Sequence, residues 1–337
     1  MIAKHSKSLL VLATALVAGV ALAACPGGKG MPGKPKIPGS DKLDGVPGVG
    51  PDAALDPNGC GGYSTSDAGR KLKAFLEATA AVEKASIETV AIVKNSCIII
   101  GNEIGMTEAD YKGETKDICA AVYGRIDKNL NGVAVKSKAA LKIKFKPAVC
   151  TVDAKVAASA AASCEGKASA DIKAKCSGNC QGTCSGKNTS GKCDGVCEGK
   201  CDGYADVDAS AQCKANAEVK AAVDVQCSEP ELTIDLDAKL VVDKKLAEQT
   251  VKGLKAGLPK IFMVRSRLVP LKHAVEGWVK SAAELKSSAL SLANNFKDQA
   301  KCVTGQIYAA AKMTAGIQAN ISVSVEVSAS ASGSVGQ

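Results

Sequence analysis

Between Asp67 and about Ile104 the apolar residues fall at three- and four-residue steps: Leu72, Phe75, Val82, Val90, Val93 and Cys97, with Thr79 and Ser86 in the same stripe. That period predicts an amphipathic helix. After a break at Thr107-Glu108, a second helix is expected from about Glu114 to Leu130, with Ile118, Val122 and Ile126 on one face and Gly132 ending it. The period then changes to two. Val133, Val135, Ala139, Leu141, Ile143 and Phe145 alternate with polar positions, and beyond Pro147 the apolar set moves to even numbers, from Cys150 through Val152, Val156 and Cys164 to Cys176. A returning arm runs on odd numbers from Cys201 through Val207, Cys213 and Val219 to Cys227, then switches parity near Pro230 to give Leu232, Ile234 and Leu236. From about Asp243 the helical period returns, divided by Pro259 and Pro270, with the last long helix starting at Leu271. Alternation of Ile321, Val323, Val325, Val327 and Ala329 predicts a terminal strand over 319–331.

Cysteines fix how the two arms meet. Outward from Asn188-Thr189 they fall at Cys184, Cys180, Cys176, Cys164 and Cys150 on one side, and at Cys193, Cys197, Cys201, Cys213 and Cys227 on the other, each mirrored pair summing to 377. Leu141 with Leu236, Ile143 with Ile234, Phe145 with Leu232 and Pro147 with Pro230 obey the same sum. One antiparallel register, with a two-residue turn at 188–189, therefore accounts for cysteines and non-cysteines alike. It predicts five rungs, 184–193, 180–197, 176–201, 164–213 and 150–227, each joining residues directly opposite one another. Gly178 would face Gly199 and Gly182 would face Gly195. With about 50 residues per arm the ribbon would reach roughly 170 Å if straight, or else bend at the prolines or pack on the helices. Of the remaining cysteines, Cys97 and Cys119 lie on the two N-terminal helices and are expected to pair, leaving Cys60 with Cys302, although four cysteines admit three connectivities.

The fold class expected is α+β: a helical bundle with a long disulfide-laddered antiparallel β-hairpin inserted between N- and C-terminal helices. The boundaries are N-terminal helices at 59–132, hairpin at 133–242, C-terminal helices at 243–318 and the strand at 319–331. Before them, 25–58 holds seven of the eleven prolines and reads as a tether, able to extend roughly 100 Å.

Composition adds a compartment. Lys4 and Lys7 precede an apolar run from Leu9 to Ala24, too short to span a membrane stably, so 1–24 reads as a secretory signal. Leu22-Ala23-Ala24-Cys25 resembles the lipobox of bacterial lipoproteins, which implies that Cys25 becomes the lipid-modified first residue; Pro26 next to it favours the outer membrane, with the face undetermined. Fifteen cysteines less Cys25 leave an even fourteen, in keeping with export. The net charge of +9 comes from lysines spread along the chain, and aromatics make up 3 %, too few to stack on single-stranded nucleic acid.

Six thiols within residues 176–201 raise a competing metal site, but C-x-x-x-C steps on a strand chelate poorly beside the C-x-x-C of structural zinc. His273 is the one histidine beyond the signal and reads as a solvated helix residue; no catalytic constellation and no cofactor site emerges. The lipobox at Cys25, the Pro/Gly tether, the helix pair carrying Cys97 and Cys119 and the C-x-G-x-C stretch together resemble the Cys/Gly-rich lipoproteins abundant in myxobacteria. That resemblance implies a lipid-anchored envelope protein and brings no reaction with it. The expected role is therefore structural or interactive rather than enzymatic, with self-association or envelope polymers as contacts. Two alternatives stand beside it. Helices flanking a hairpin are similar to tongue-bearing pore-forming toxins, though the tip Ser185–Lys192 is polar where a membrane-inserting tongue is apolar; the other is a thiol-rich metal binder.

Overall fold

Ser66 opens the first long helix, α1 (Asp67–Glu103), its Oγ accepting a hydrogen bond from the Gly69 amide at 3.0 Å. The computed structural model describes residues 55–61, 66–189, 192–193, 195–294, 296 and 299–334. The expected signal over 1–24, Cys25 and nearly all of the expected tether lie outside the described residues. Along α1 the stripe Leu72, Phe75, Leu76, Thr79, Val82, Val90, Val93, Cys97 and Ile100 is buried. A second helix, α2 (Thr115–Lys128), packs on its C-terminal half and passes into a wide turn where Gly132 takes φ +105°, a conformation costly for any residue with a Cβ.

Two helices after the insertion complete the bundle, α5 (Lys244–Asn294) and α6 (Ala300–Ser334). The expected division at Pro259 and Pro270, with a helix starting at Leu271, is not what forms: α5 runs through both prolines. Each proline removes one backbone donor, but Leu254, Leu258, Ile261, Phe262, Leu268 and Leu271 are all buried around them, and this apolar face keeps the helix continuous past both prolines. The expected strand over 319–331 is likewise the end of α6. Alternating Ser and Val carry a period of two, yet the residues buried are Ile321, Ser324, Val327, Ser328 and Ala331, a helical spacing. Ser324 and Ser328 close the conflict by donating to the carbonyls of Asn320 and Ser324 at 2.9 and 2.7 Å, so buried hydroxyls are satisfied within the helix. At the bundle centre Trp278 stacks on Phe75, centroids 6.2 Å apart, and its Nε1 donates to Thr79 Oγ1 at 2.9 Å.

The protein is α+β, with small antiparallel sheets inserted between α2 and α5. Strands β1 (Leu141–Lys146) and β10 (Glu231–Leu236) form the base of the insertion, Leu141 opposite Leu236 and Phe145 opposite Leu232. Just beyond, β2 (Cys150–Asp153) meets β9 (Gln226–Cys227), Cys150 opposite Cys227.

From there the long ribbon is replaced by something shorter. Residues expected to continue as strands form helices α3 (Ala154–Glu165) and α4 (Ala211–Val223). Alanine causes this: at alternate positions it mimics a strand pattern, but it is the best helix former and a poor strand former. Asp153 caps α3 by accepting from the Lys155 amide at 2.8 Å, and Gly166 ends it at φ +68°. Strands β3 (Ala174–Cys176), β4 (Cys180–Cys184), β5 (Asn188–Thr189), β6 (Lys192–Cys193), β7 (Cys197–Asp202) and β8 (Ala205–Val207) follow α3. Of these, β7 folds back and pairs with β2, giving a four-stranded sheet in the order β4-β7-β2-β9. Asn188 and Thr189 pair with Cys193 and Lys192, so they lie in a strand and do not form the expected turn.

Candidate functional site

The insertion is the chain's most unusual part, and cross-links hold it. Its own core is mostly alanine and cysteine, with Val152, Val207, Val225 and Ile172 as the largest buried side chains and no aromatic ring. So little apolar area stabilises a small unit weakly, and small units of this kind rely on covalent staples. Five bridges supply them: Cys150–Cys227 between β2 and β9, Cys164–Cys213 between α3 and α4, and Cys176–Cys201, Cys180–Cys197 and Cys184–Cys193 at the tip. Outside it, Cys97–Cys119 joins α1 to α2, and Cys60–Cys302 ties the segment 55–61 to α6.

The tip bridges do not join residues directly opposite in the ladder. Cys180 faces Cys201 and Cys184 faces Cys197, so the ladder there has slipped by four residues from the mirror register that β1 and β10 keep. Gly182 accordingly faces Gly199, not Gly195. A Cβ on Gly182 would lie 3.1 Å from Gly199 Cα, a backbone approach that only glycine allows. The slip is easy to explain. Cysteine and glycine recur every four residues, so a four-residue shift keeps every side chain on its face and sets cysteine against cysteine again.

The sulfurs of Cys176, Cys197 and Cys201, three of the six cysteines behind the metal alternative, lie within 4.8 Å of one another. Each is in a disulfide, and a disulfide sulfur is not the thiolate that a soft metal needs.

His273 stands differently from its sequence expectation. Its Nε2 lies 3.5 Å from Glu218 Oε1 on α4, and its ring stacks on Tyr204 at 3.6 Å between centroids. Burial raises the Glu218 carboxyl pKa, while His273 and Lys214 oppose that rise. Lys214 is itself held by Asp206 at 2.6 Å. This cluster joins the insertion to α5. With 55 residues separating Glu218 from His273, no local spacing announced it.

A second feature lies on the other side of α4. Arg70, Lys73 and Glu77 of α1, Ala160, Ser163 and Cys164 of α3, and Asn216 and Lys220 of α4 line a cleft of about 250 Å³. Glu77 is 3.6 Å from Lys220, and Arg70 is 3.3 Å from Asp67. Lys73 has no carboxylate within ion-pair distance among the described residues. Asn216 is 3 % exposed, and its Oδ1 has no hydrogen-bond partner. Sequence reasoning missed the cleft because its walls come from three helices spread over 150 residues.

Among the described residues, no helix is long and apolar enough to cross a membrane. Comparison with protein-family models, curated proteins and solved structures gave no match.

Proposed function

We propose that the chain is a lipid-anchored structural or interaction protein of the cell envelope, presenting a disulfide-braced insertion on a helical bundle. The observation that carries this reading is the cysteine balance. Fourteen of the fifteen cysteines are engaged in seven disulfides, and the one left over is Cys25, at the end of the apolar leader. Seven bridges suit an oxidising compartment. A single lipidated cysteine ahead of a Pro/Gly tether suits a protein held at, not within, a membrane surface. Anchoring of this kind uses acyl chains instead of a spanning helix.

The test is mass spectrometry of the N-terminus of the membrane-fraction protein, beside Cys25→Ser. A mature chain starting at an acylated Cys25, with Cys25→Ser shifting the protein to the soluble fraction, is expected. An unprocessed N-terminus, or equal membrane retention of Cys25→Ser, would overturn the anchor. Leakage of dye from liposomes at low protein concentration would overturn the structural role in favour of membrane action.

A further inference from the structure

We propose that the cleft between α1, α3 and α4 binds a small carboxylated sugar, with Lys73 and Arg70 meeting the carboxylate and Asn216 meeting a ring hydroxyl. This names a ligand class for the envelope reading, but it stands on the cleft alone and does not need the lipid anchor.

Charge selects the first half of the ligand. Three cations and one carboxylate line the walls, and Glu77 is engaged with Lys220 at 3.6 Å. Lys73, half-buried and without a carboxylate partner among the described residues, is left to attract an anion. Arg70 is oriented by Asp67, whose Oδ1 is 3.3 Å from its Nη2. Its guanidinium lies against Gly166, where a Cβ would fall 2.7 Å from Nη2, at the C-terminal end of α3 whose dipole favours a cation. A planar guanidinium beside an ammonium suits a carboxylate.

Asn216 selects the second half. A buried amide oxygen without a partner is costly, and Asn216, whose Oδ1 is such an atom, is one of the residues that line the cleft. A ligand that is only an anion leaves this acceptor unmet, whereas a hydroxyl donates to it. One molecule must therefore offer both groups, and a sugar acid does. Size agrees: about 250 Å³ is below the range of drug-sized sites and suits one sugar ring. The buried Cys164–Cys213 bridge, with Cα atoms 5.4 Å apart, fixes α3 to α4 along the cleft, so the site is preorganised.

The test is titration calorimetry on the purified mature chain with disulfides intact, at low ionic strength because charge attraction is screened by salt. Glucuronate, glucose and inorganic phosphate are the separate probes. Saturable one-to-one binding of glucuronate is expected, at least about tenfold tighter than glucose or phosphate. Lys73→Gln should weaken glucuronate about tenfold, and Asn216→Leu should remove the preference for glucuronate over phosphate. Lys84→Gln, at a lysine 78 % exposed on α1 and outside the cleft, should change nothing. No saturable glucuronate binding, phosphate binding as tightly as glucuronate, or Lys84→Gln weakening binding as much as Lys73→Gln would each overturn the proposal. Should Asn216→Leu fail to fold, the Lys73 and Lys84 comparison and the phosphate arm still decide.

Discussion

Helices α1 and α5 cross where Gly253 and Gly257 stand one turn apart on α5, and the two glycines should respond oppositely to a methyl group. A Cβ at Gly257 would overlap Ile100 Cγ1 and fall 2.7 Å from the Ser96 carbonyl oxygen; at Gly253 the nearest atoms, Glu103 Cβ and the Ile100 oxygen, are both 3.1 Å away. Ile100 can shift, but the Ser96 oxygen is helix backbone and moves only with α1. Overpacking of this kind costs about 1–3 kcal/mol. Replacing glycine by alanine inside a helix returns about 0.8–1 kcal/mol through backbone entropy. For Gly257→Ala, where the contact includes helix backbone, the clash falls in the upper part of that range, about 2–3 kcal/mol, giving a net loss of about 1–2 kcal/mol. For Gly253→Ala a few tenths of an ångström of adjustment suffices, so the two terms nearly cancel and the change stays within about 0.5 kcal/mol of zero. Guanidinium unfolding of the oxidised protein, followed by far-UV circular dichroism, measures both. The reasoning fails if Gly257→Ala is as stable as the parent, or if the two variants lose stability equally.

Thr79→Val should cost about 1–3 kcal/mol by denaturant midpoint, because it leaves the buried Trp278 Nε1 without its acceptor at 2.9 Å; an unchanged midpoint would show that the indole finds another partner. Burial lifts the Glu83 carboxyl from 4.5 to about 7. With the folded value above the unfolded one, the neutral form is favoured, so stability from this group is present below about pH 4.5 and is lost as pH rises through 7. Glu83→Gln should therefore stabilise the protein at pH 8 by about 1–2 kcal/mol, less than the full shift converts to because the side chain is only half-buried. It should have little effect at pH 4, and equal effects at the two pH values would contradict the linkage.

Long segments with one dominant period were legible, and segments where alanine or serine filled the pattern were not. Leu72, Phe75, Val82 and Val93 could hardly be anything but a helix face, and Leu141, Ile143 and Phe145 between lysines could hardly be anything but a strand. In Ala154–Glu165 the informative signals were the ends, not the periodicity: Asp153 as cap and Gly166 as left-handed stop are both readable in sequence. Ile321–Ala331 is harder. Nothing local favours a helix in Ser-Val-Ser-Val, and its state is decided by the surfaces of α1, α2 and α5 onto which it packs, as the Tyr123 hydroxyl donating to the Val327 carbonyl at 3.3 Å illustrates. The cleft and the Glu218–His273 pair lay beyond sequence reasoning for the same reason, since each is assembled by packing between distant helices.

The mirror symmetry of the cysteines survives in one sense and fails in another, and the difference has a physical origin. At the base, Phe145, Ile143 and Leu141 admit one register, because a shift would carry three large side chains off the core. At the tip, every fourth residue is cysteine and every intervening glycine is featureless, so registers four residues apart have almost the same ladder energy. There the bridges, not side-chain packing, must choose. Cys180 facing Cys201 while bonded to Cys197, and Cys184 facing Cys197 while bonded to Cys193, show the backbone ladder and the sulfur ladder settling in different frames. Such a tip can keep its covalent pairing while its hydrogen-bonded register is decided by what surrounds it. In this protein the surrounding element is β2, which pairs with β7 and draws the tip back onto its own base.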